Sequence, residues 1–139
     1  ISTNLNSMFN VTKQVVADMI EAKWGRIINI SSVNGQKGQF GQVNYSTAKA
    51  GLHGFTMALA QELAAKGVTV NTVSPGYIGT EMVLAVPQDV LEKRILPMIP
   101  VGRLGQPDEI ARCVAFLTDD GAGFITGATL SANGGQYMV

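Results

Sequence analysis

Three side chains in this sequence stand where they could manage a proton on a carbonyl oxygen. Ser32 follows the run Ile27-Ile28-Asn29-Ile30-Ser31, where a buried strand would open into a loop. Tyr45 and Lys49 are four residues apart in a stretch of helical character, which sets them on one helical face. A free phenol, with a pKa near about 10, is a poor proton donor or acceptor at neutral pH. An ammonium about 6 Å away, at an effective dielectric of about 20, favours the phenolate by roughly 3 kcal/mol, or about two pKa units. The Ser32 hydroxyl could hydrogen-bond the oxygen that Tyr45 protonates or deprotonates. The trio suits general acid-base work on a carbonyl/alcohol couple. On spacing alone an ordinary helix face and a strand-end cap remain open, because Y-x-x-x-K is a short pattern.

The elements that must hold these groups can be read in order. Ser2-Thr3-Asn4 caps a helix running to about residue 23, with Leu5, Met8, Phe9, Val15, Val16, Met19 and Ile20 as its apolar stripe and Gly25 as its end. A strand over 26–31 shows little alternation, as a parallel strand covered on both faces would. The segment 33–43 reads as a glycine-bearing loop (Gly35, Gly38, Gly41). A helix over 45–66 follows, closed by Gly67; its Gly51 and Gly54 predict close approach of another backbone, since each costs about 1 kcal/mol relative to Ala. Gly51, Leu52, Phe55, Leu59 and Leu63 mark a broad apolar surface that could meet another subunit.

A second β-rich run, 68–73, ends at Ser74-Pro75-Gly76, and a loop extends to about Pro87. Helices are predicted over 88–98 and, behind Pro107, over 108–117, with a last short strand over 128–131. Strands so far apart cannot form hairpins. The order predicts an α/β fold with a parallel sheet and right-handed crossovers. Ligands in such sheets sit at the carboxyl ends of the strands, where Ser32 and the Pro75-Gly76 loop both fall.

The balance of 10 basic and 10 acidic residues, with no basic cluster, gives no electrostatic support for nucleic-acid or membrane-surface binding. No apolar run approaches the roughly 18 residues of a bilayer span. The 139 residues suffice for one domain with a core, residues 1–139. The single cysteine, Cys113, cannot form an internal disulfide and reads as a buried thiol of a cytoplasmic protein. The chain starts at Ile1 and enters directly into an amphipathic pattern, so it reads as a piece of a longer polypeptide whose amino-terminal part is missing.

Other signals carry less. The stretch from Gly121 to Gly127 resembles a dinucleotide fingerprint only superficially, because phosphate cradling needs strand, turn, then helix. His53, the only histidine, fits a packing role on its helix. No G-x-S-x-G elbow surrounds Ser32 or Ser74, and neither H-E-x-x-H nor C-x-x-C occurs, so neither a serine hydrolase nor a metal site is expected.

Taken together, Asn29-Ile30-Ser31-Ser32, Tyr45-Ser46-Thr47-Ala48-Lys49, Asn71-Thr72-Val73-Ser74-Pro75-Gly76 and Asn133-Gly134-Gly135 resemble the short-chain dehydrogenase/reductase family along the whole chain. The resemblance implies the carboxyl-terminal portion of a Rossmann-like, doubly wound parallel sheet in a nicotinamide-dependent oxidoreductase, usually a homotetramer. It implies that Tyr45 is the general acid, that Ser32 polarises the carbonyl, and that Lys49 lowers the phenol's pKa and holds the nicotinamide ribose. By the same likeness Asn4 binds a water of the proton relay, and Pro75, Gly76, Ile78 and Thr80 lie along the nicotinamide end of the cofactor.

The stretches Phe9 to Val15, Ser32 to Gln42 and Gly51 to Gln61 resemble the branch of the family that reduces acetoacetyl-CoA for polyhydroxybutyrate synthesis. Gln39, Phe40, Gly41, Gln42 and Tyr77 would then border an acyl-CoA substrate, with NADPH, or else NADH, as cofactor. Two alternatives stay open: reduction of 3-oxoacyl groups on acyl-carrier protein, whose reductases have a similar tail, and a non-catalytic oligomerising fragment. The family's amino-terminal glycine-rich turn is absent from these 139 residues, which predicts that the chain alone cannot hold a dinucleotide.

Overall fold

A computed structural model describes residues 5–38 and 40–139. Its centre is β2 (Val68–Pro75), buried at every position from Val68 to Ser74. Valines and threonines supply most of this strand, and their branched side chains suit a pleated surface covered on both sides. β1 (Gly25–Ile30) pairs with one edge of β2 and β3 (Thr129–Ala132) with the other, both in parallel. The parallel α/β arrangement expected from the sequence is therefore present, as a three-stranded sheet. Among the described residues, the outer edge of β1 is unpaired.

Helix α1 (Ser7–Ala22) and helix α3 (Val43–Leu63) cover one face. Ala60 and Leu63 of α3 form the core with Ile27, Val68 and Val70, against which Val16, Met19 and Ile20 of α1 pack. Helix α6 (Pro107–Thr118) covers the other face: Arg26, whose side chain opposes that of Ile27, donates to the carbonyl of Asp119, the residue that closes α6. Both connections step across the sheet in the same direction, yet they pass over opposite faces. Their hands are therefore opposite, and the expectation of right-handed crossovers holds for one connection at most.

Several local expectations change. The first helix is closed by Lys23 in the left-handed conformation (φ 55°), whose N–H reaches the carbonyl of Ile20; Gly25 already belongs to β1. The segment 33–43 holds a short helix α2 (Val33–Lys37), capped by Ser32 Oγ, which accepts from the Asn34 N–H. Helix α3 starts at Val43 and ends through a 3₁₀ turn (Ala64–Lys66) at Gly67 (φ 79°), so its length is as expected. Another short helix, α4 (Glu81–Leu84), occupies part of the loop after β2. The 88–98 helix is broken into α5 (Gln88–Val90), a π turn (Leu91–Ile95) and a 3₁₀ turn (Leu96–Met98) holding Pro97.

The two glycines of α3 also differ from expectation. A Cβ on Gly51 would meet the side chain of Leu5 at 3.2 Å, and one on Gly54 would meet nothing within 4 Å among the described residues. Leu52 and Leu63 turn inward, whereas Met57, Phe9 and Val11 are exposed.

On the α3 side of the sheet, the carboxyl ends of the strands are lined with polar side chains. Each pair of them is tied by one group reaching across. Thr56 Oγ1 accepts from Asn29 Nδ2 and from Thr72 Oγ1, both at 2.9 Å. His53 meets Ser31 Oγ at 2.9 Å and Thr129 Oγ1 at 3.0 Å. Gln36 accepts from Ser74 Oγ at 2.9 Å and donates to Ser131 Oγ at 3.1 Å. Buried polar groups are tolerated when satisfied in this way.

Candidate active site

Ser32 sits just past the end of β1, and its main chain is fixed on both sides. The Ser31 N–H donates to the carbonyl of Val73 at 2.8 Å, continuing the ladder by one residue, and the Ser32 hydroxyl caps α2. The first turn of α3 brings Tyr45 alongside, and the next turn brings Lys49. The Lys49 ammonium lies 5.6 Å from the centre of the Tyr45 ring, close to the separation expected for an i,i+4 pair, and its Nζ donates to the Ile30 carbonyl at 3.4 Å. The cation is thus held between the end of β1 and the phenol.

Gly35 sets how closely α2 approaches α3. A Cβ there would fall 2.7 Å from Lys49 Cβ, 3.1 Å from Lys49 C and 3.0 Å from Ser31 Oγ, so only glycine lets the two helices meet here. Gly76 has the same role beyond β2, where a Cβ would fall 2.7 Å from that of Asn133. Asn133 in turn accepts from the Gly135 N–H and donates to the Tyr137 carbonyl, fastening the chain end beside the Pro75-Gly76 turn.

A cleft of about 390 Å³ opens at these strand ends, lined by Ser31, Ser32, Tyr45, Pro75, Gly76, Ile78, Thr80, Val83, Pro107 and Ile110. A smaller hollow of about 120 Å³ adjoins it, sharing Ser32, Tyr45, Pro75 and Gly76 and adding Val33, Asn34 and Tyr77. Ser32, Tyr45, Pro75, Gly76, Ile78, Thr80 and Tyr77 are therefore brought together, with Lys49 behind the Tyr45 ring. Phe40 at the loop tip is fully exposed and lines neither hollow. Gly41 (φ 80°) turns the loop, and Gln42 accepts from Asn34 Nδ2 at 3.1 Å. Asn4 and Gln39 lie outside the described residues.

The cleft fits the nicotinamide end of a dinucleotide in chemical character. One wall is apolar (Pro75, Ile78, Val83, Pro107, Ile110), suited to a flat ring, and the hydroxyls of Ser32, Tyr45 and Thr80 bring polar groups to the same space. Thr80 also caps α4, accepting from the Val83 N–H at 3.4 Å. Among the described residues, no group of three His, Cys, Asp or Glu side chains could hold a metal ion. No helix among them is long and apolar enough to cross a membrane.

His53 has a larger part here than its lone place in the sequence indicates. Tyr45, Lys49 and His53 recur every four residues along α3, and His53 bonds the residue adjacent to Ser32. Burial holds its pKa below the ordinary 6.5, favouring the neutral ring. The repeat of four could have flagged it; its partners on β1 and β3 could not be read from spacing.

Comparison with known proteins identifies the family. The model of a family described as Enoyl-(Acyl carrier protein) reductase matches residues 1–136. The chain is 70% identical over 138 residues to the acetoacetyl-CoA reductase of Cupriavidus necator, covering 99% of this chain and 56% of that protein. It is 67% identical over 139 residues to the acetoacetyl-CoA reductase of Shinella zoogloeoides, covering 100% of this chain and 58% of that protein. It is 53% identical over 138 residues to the 3-oxoacyl-[acyl-carrier-protein] reductase FabG of Pseudomonas aeruginosa, covering 99% of this chain and 55% of that protein. The chain spans somewhat more than half the length of these relatives. It belongs to the short-chain dehydrogenase/reductase family.

Proposed function

We propose that these 139 residues are the catalytic, substrate-side part of a longer NADPH-dependent reductase that converts acetoacetyl-CoA to 3-hydroxybutanoyl-CoA. The observation that carries this reading is the meeting of Ser32 and Tyr45 on one cleft, with the Lys49 ammonium 5.6 Å from the Tyr45 ring. Relatives named acetoacetyl-CoA reductase at 67–70% identity support the thioester, against 53% for the carrier-protein reductase of Pseudomonas aeruginosa. Exposed Phe9 and Val11 on α1 with Val43 and Met57 on α3 support assembly into a homotetramer, and a cytoplasmic location suits a soluble-thioester substrate.

A nicotinamide cofactor, when bound, supplies the hydride that reduces the keto carbon. Tyr45 gives its phenolic proton to the keto oxygen, and Ser32 donates a hydrogen bond to that oxygen as negative charge develops on it. The Lys49 cation offsets the charge left on the phenolic oxygen. Tyr45 is 39% exposed, so water can return the proton after each turnover. In this reading Tyr77, Gln39, Phe40, Gly41 and Gln42 are assigned to the acyl-CoA substrate, and Asn4 to a water of the proton relay.

Tyr45→Phe in the complete enzyme should lower kcat by about 10²–10⁴-fold, the range for a lost general acid, with the circular-dichroism spectrum unchanged. Near-normal turnover would exclude Tyr45 as the acid. Rates on acetoacetyl-CoA and on the same acyl group on carrier protein decide the thioester. The 139-residue chain by itself should show no reduction, and turnover by it would overturn the fragment reading.

A further inference from the structure

The carbonyl and imidazole chemistry around His53 fixes its protonation pattern. Ser31 Oγ lies 3.1 Å from the Lys49 carbonyl, which can only accept, so the Ser31 hydroxyl donates there. Its lone pair is then what faces His53 Nε2 at 2.9 Å, and Nε2 must carry the ring proton. Nδ1 is left as an acceptor, and the Thr129 hydroxyl at 3.0 Å donates to it. The run Thr129 → His53 → Ser31 → Lys49 carbonyl uses each donor once and leaves no lone pair facing another.

We propose that His53 is a positioning residue for the Ser32–Tyr45–Lys49 site: oriented by Thr129 of β3, it holds Ser31, and with it the backbone of Ser32, against the turn of α3 that carries Lys49. Three elements meet at this one ring. Ser31 is buried and adjoins Ser32, while the Lys49 carbonyl belongs to the residue whose ammonium faces Tyr45. Without the ring, Ser31 loses a partner and β3 is released from the α3 turn that faces it. Gln36, which fastens α2 to Ser74 and Ser131, holds the far side of the same loop. His53 touches neither substrate nor cofactor in this arrangement; it acts through Ser31.

The proposal rests on the reductase reading for its kinetic arm alone. In the complete enzyme, His53→Leu should lower kcat about tenfold or more with the thioester KM within about twofold, because loosened alignment of reacting groups acts on the chemical step. His53→Gln, which keeps an N–H donor and an acceptor, should recover part of the loss. Thr129→Val should show an intermediate loss, and the double variant His53→Leu/Thr129→Val should be no slower than His53→Leu. Unchanged kcat with only a lower melting temperature would reduce His53 to packing and overturn the proposal. Should His53→Leu fail to fold, His53→Gln and Thr129→Val carry the test. Independently of activity, ¹⁵N shifts of the His53 ring should show protonated Nε2 and bare Nδ1, with the pattern altered in Thr129→Val. Protonated Nδ1 in the unaltered protein refutes the arrangement even if reduction is observed. A protein inactive on acetoacetyl-CoA with the expected ring shifts would sink the substrate reading and leave the Thr129–His53–Ser31 chain standing.

Discussion

Gly35→Ala tests the packing that sets the distance between the serine loop and the tyrosine helix. The added methyl would lie 2.7 Å from Lys49 Cβ and 3.1 Å from Lys49 C, where relaxed carbon contacts are about 3.5–4.0 Å. Neither atom can swing aside, since one is the first carbon of a helical side chain and the other is backbone. Helix α2 must therefore draw back from α3 by a large part of about 1 Å. Because Ser32 caps α2 and Tyr45 and Lys49 ride on α3, the retreat separates the hydroxyl from the phenol. Overpacking of this kind costs about 1–3 kcal/mol of stability. Misplacement by about 1 Å can cost about 10²-fold in rate, or about 2.7 kcal/mol of barrier. Urea unfolding and kcat with saturating cofactor in the complete enzyme read the two effects separately. An alanine variant that keeps both its midpoint and its turnover would show that α2 does not rest on Lys49.

Other consequences can be checked on stability alone. Thr56→Val leaves the buried Asn29 amide and Thr72 hydroxyl without their acceptor and should destabilise by about 1–3 kcal/mol in chemical denaturation, whereas Thr56→Ser should recover most of it. Glu109 is held at a pKa of about 2, below its ordinary 4.5, first by its hydrogen bond to Arg103 and then by the Gln106 N–H. A carboxylate lowered on folding stabilises above the unfolded value, and that contribution disappears as pH falls from 4.5 towards 2. Glu109→Gln should therefore flatten this acid limb of the stability–pH curve; because the pair is solvent-exposed, the change should be small and shrink further in salt.

What could be read from the sequence was what depends on neighbours along the chain. Tyr45 and Lys49 share a helix, so their spacing alone placed them together, and Ser32 and the Pro75-Gly76 turn were legible as the ends of two parallel strands. Hidden from that reading was α2: five residues are too few for a periodic signal, and the Ser32 cap looked like a loop residue. The 88–98 helix gives way to a 3₁₀ turn at Pro97, which has no N–H to donate to the preceding turn, but the π turn ahead of it carries no signal in the spacing. Lys23 took the left-handed position expected near Gly25 because β1 starts at that glycine to pair with Val68. The ties made by His53 and Gln36 join residues 22 to 95 positions apart, and they arise only once the sheet has formed.

Lys49 belongs to two surfaces at once. While its ammonium faces the phenol, the residue also lines a groove of about 400 Å³ between α1 and the flank of β1 that is unpaired among the described residues, beside Met8, Val11, Val15, Ile28 and Ile30. A bare strand flank next to apolar side chains recruits whatever extended segment reaches it first. Whatever occupies that groove borders the residue whose ammonium stands 5.6 Å from the Tyr45 ring, so a substitution there that displaces the Lys49 stem is felt at the phenol as well.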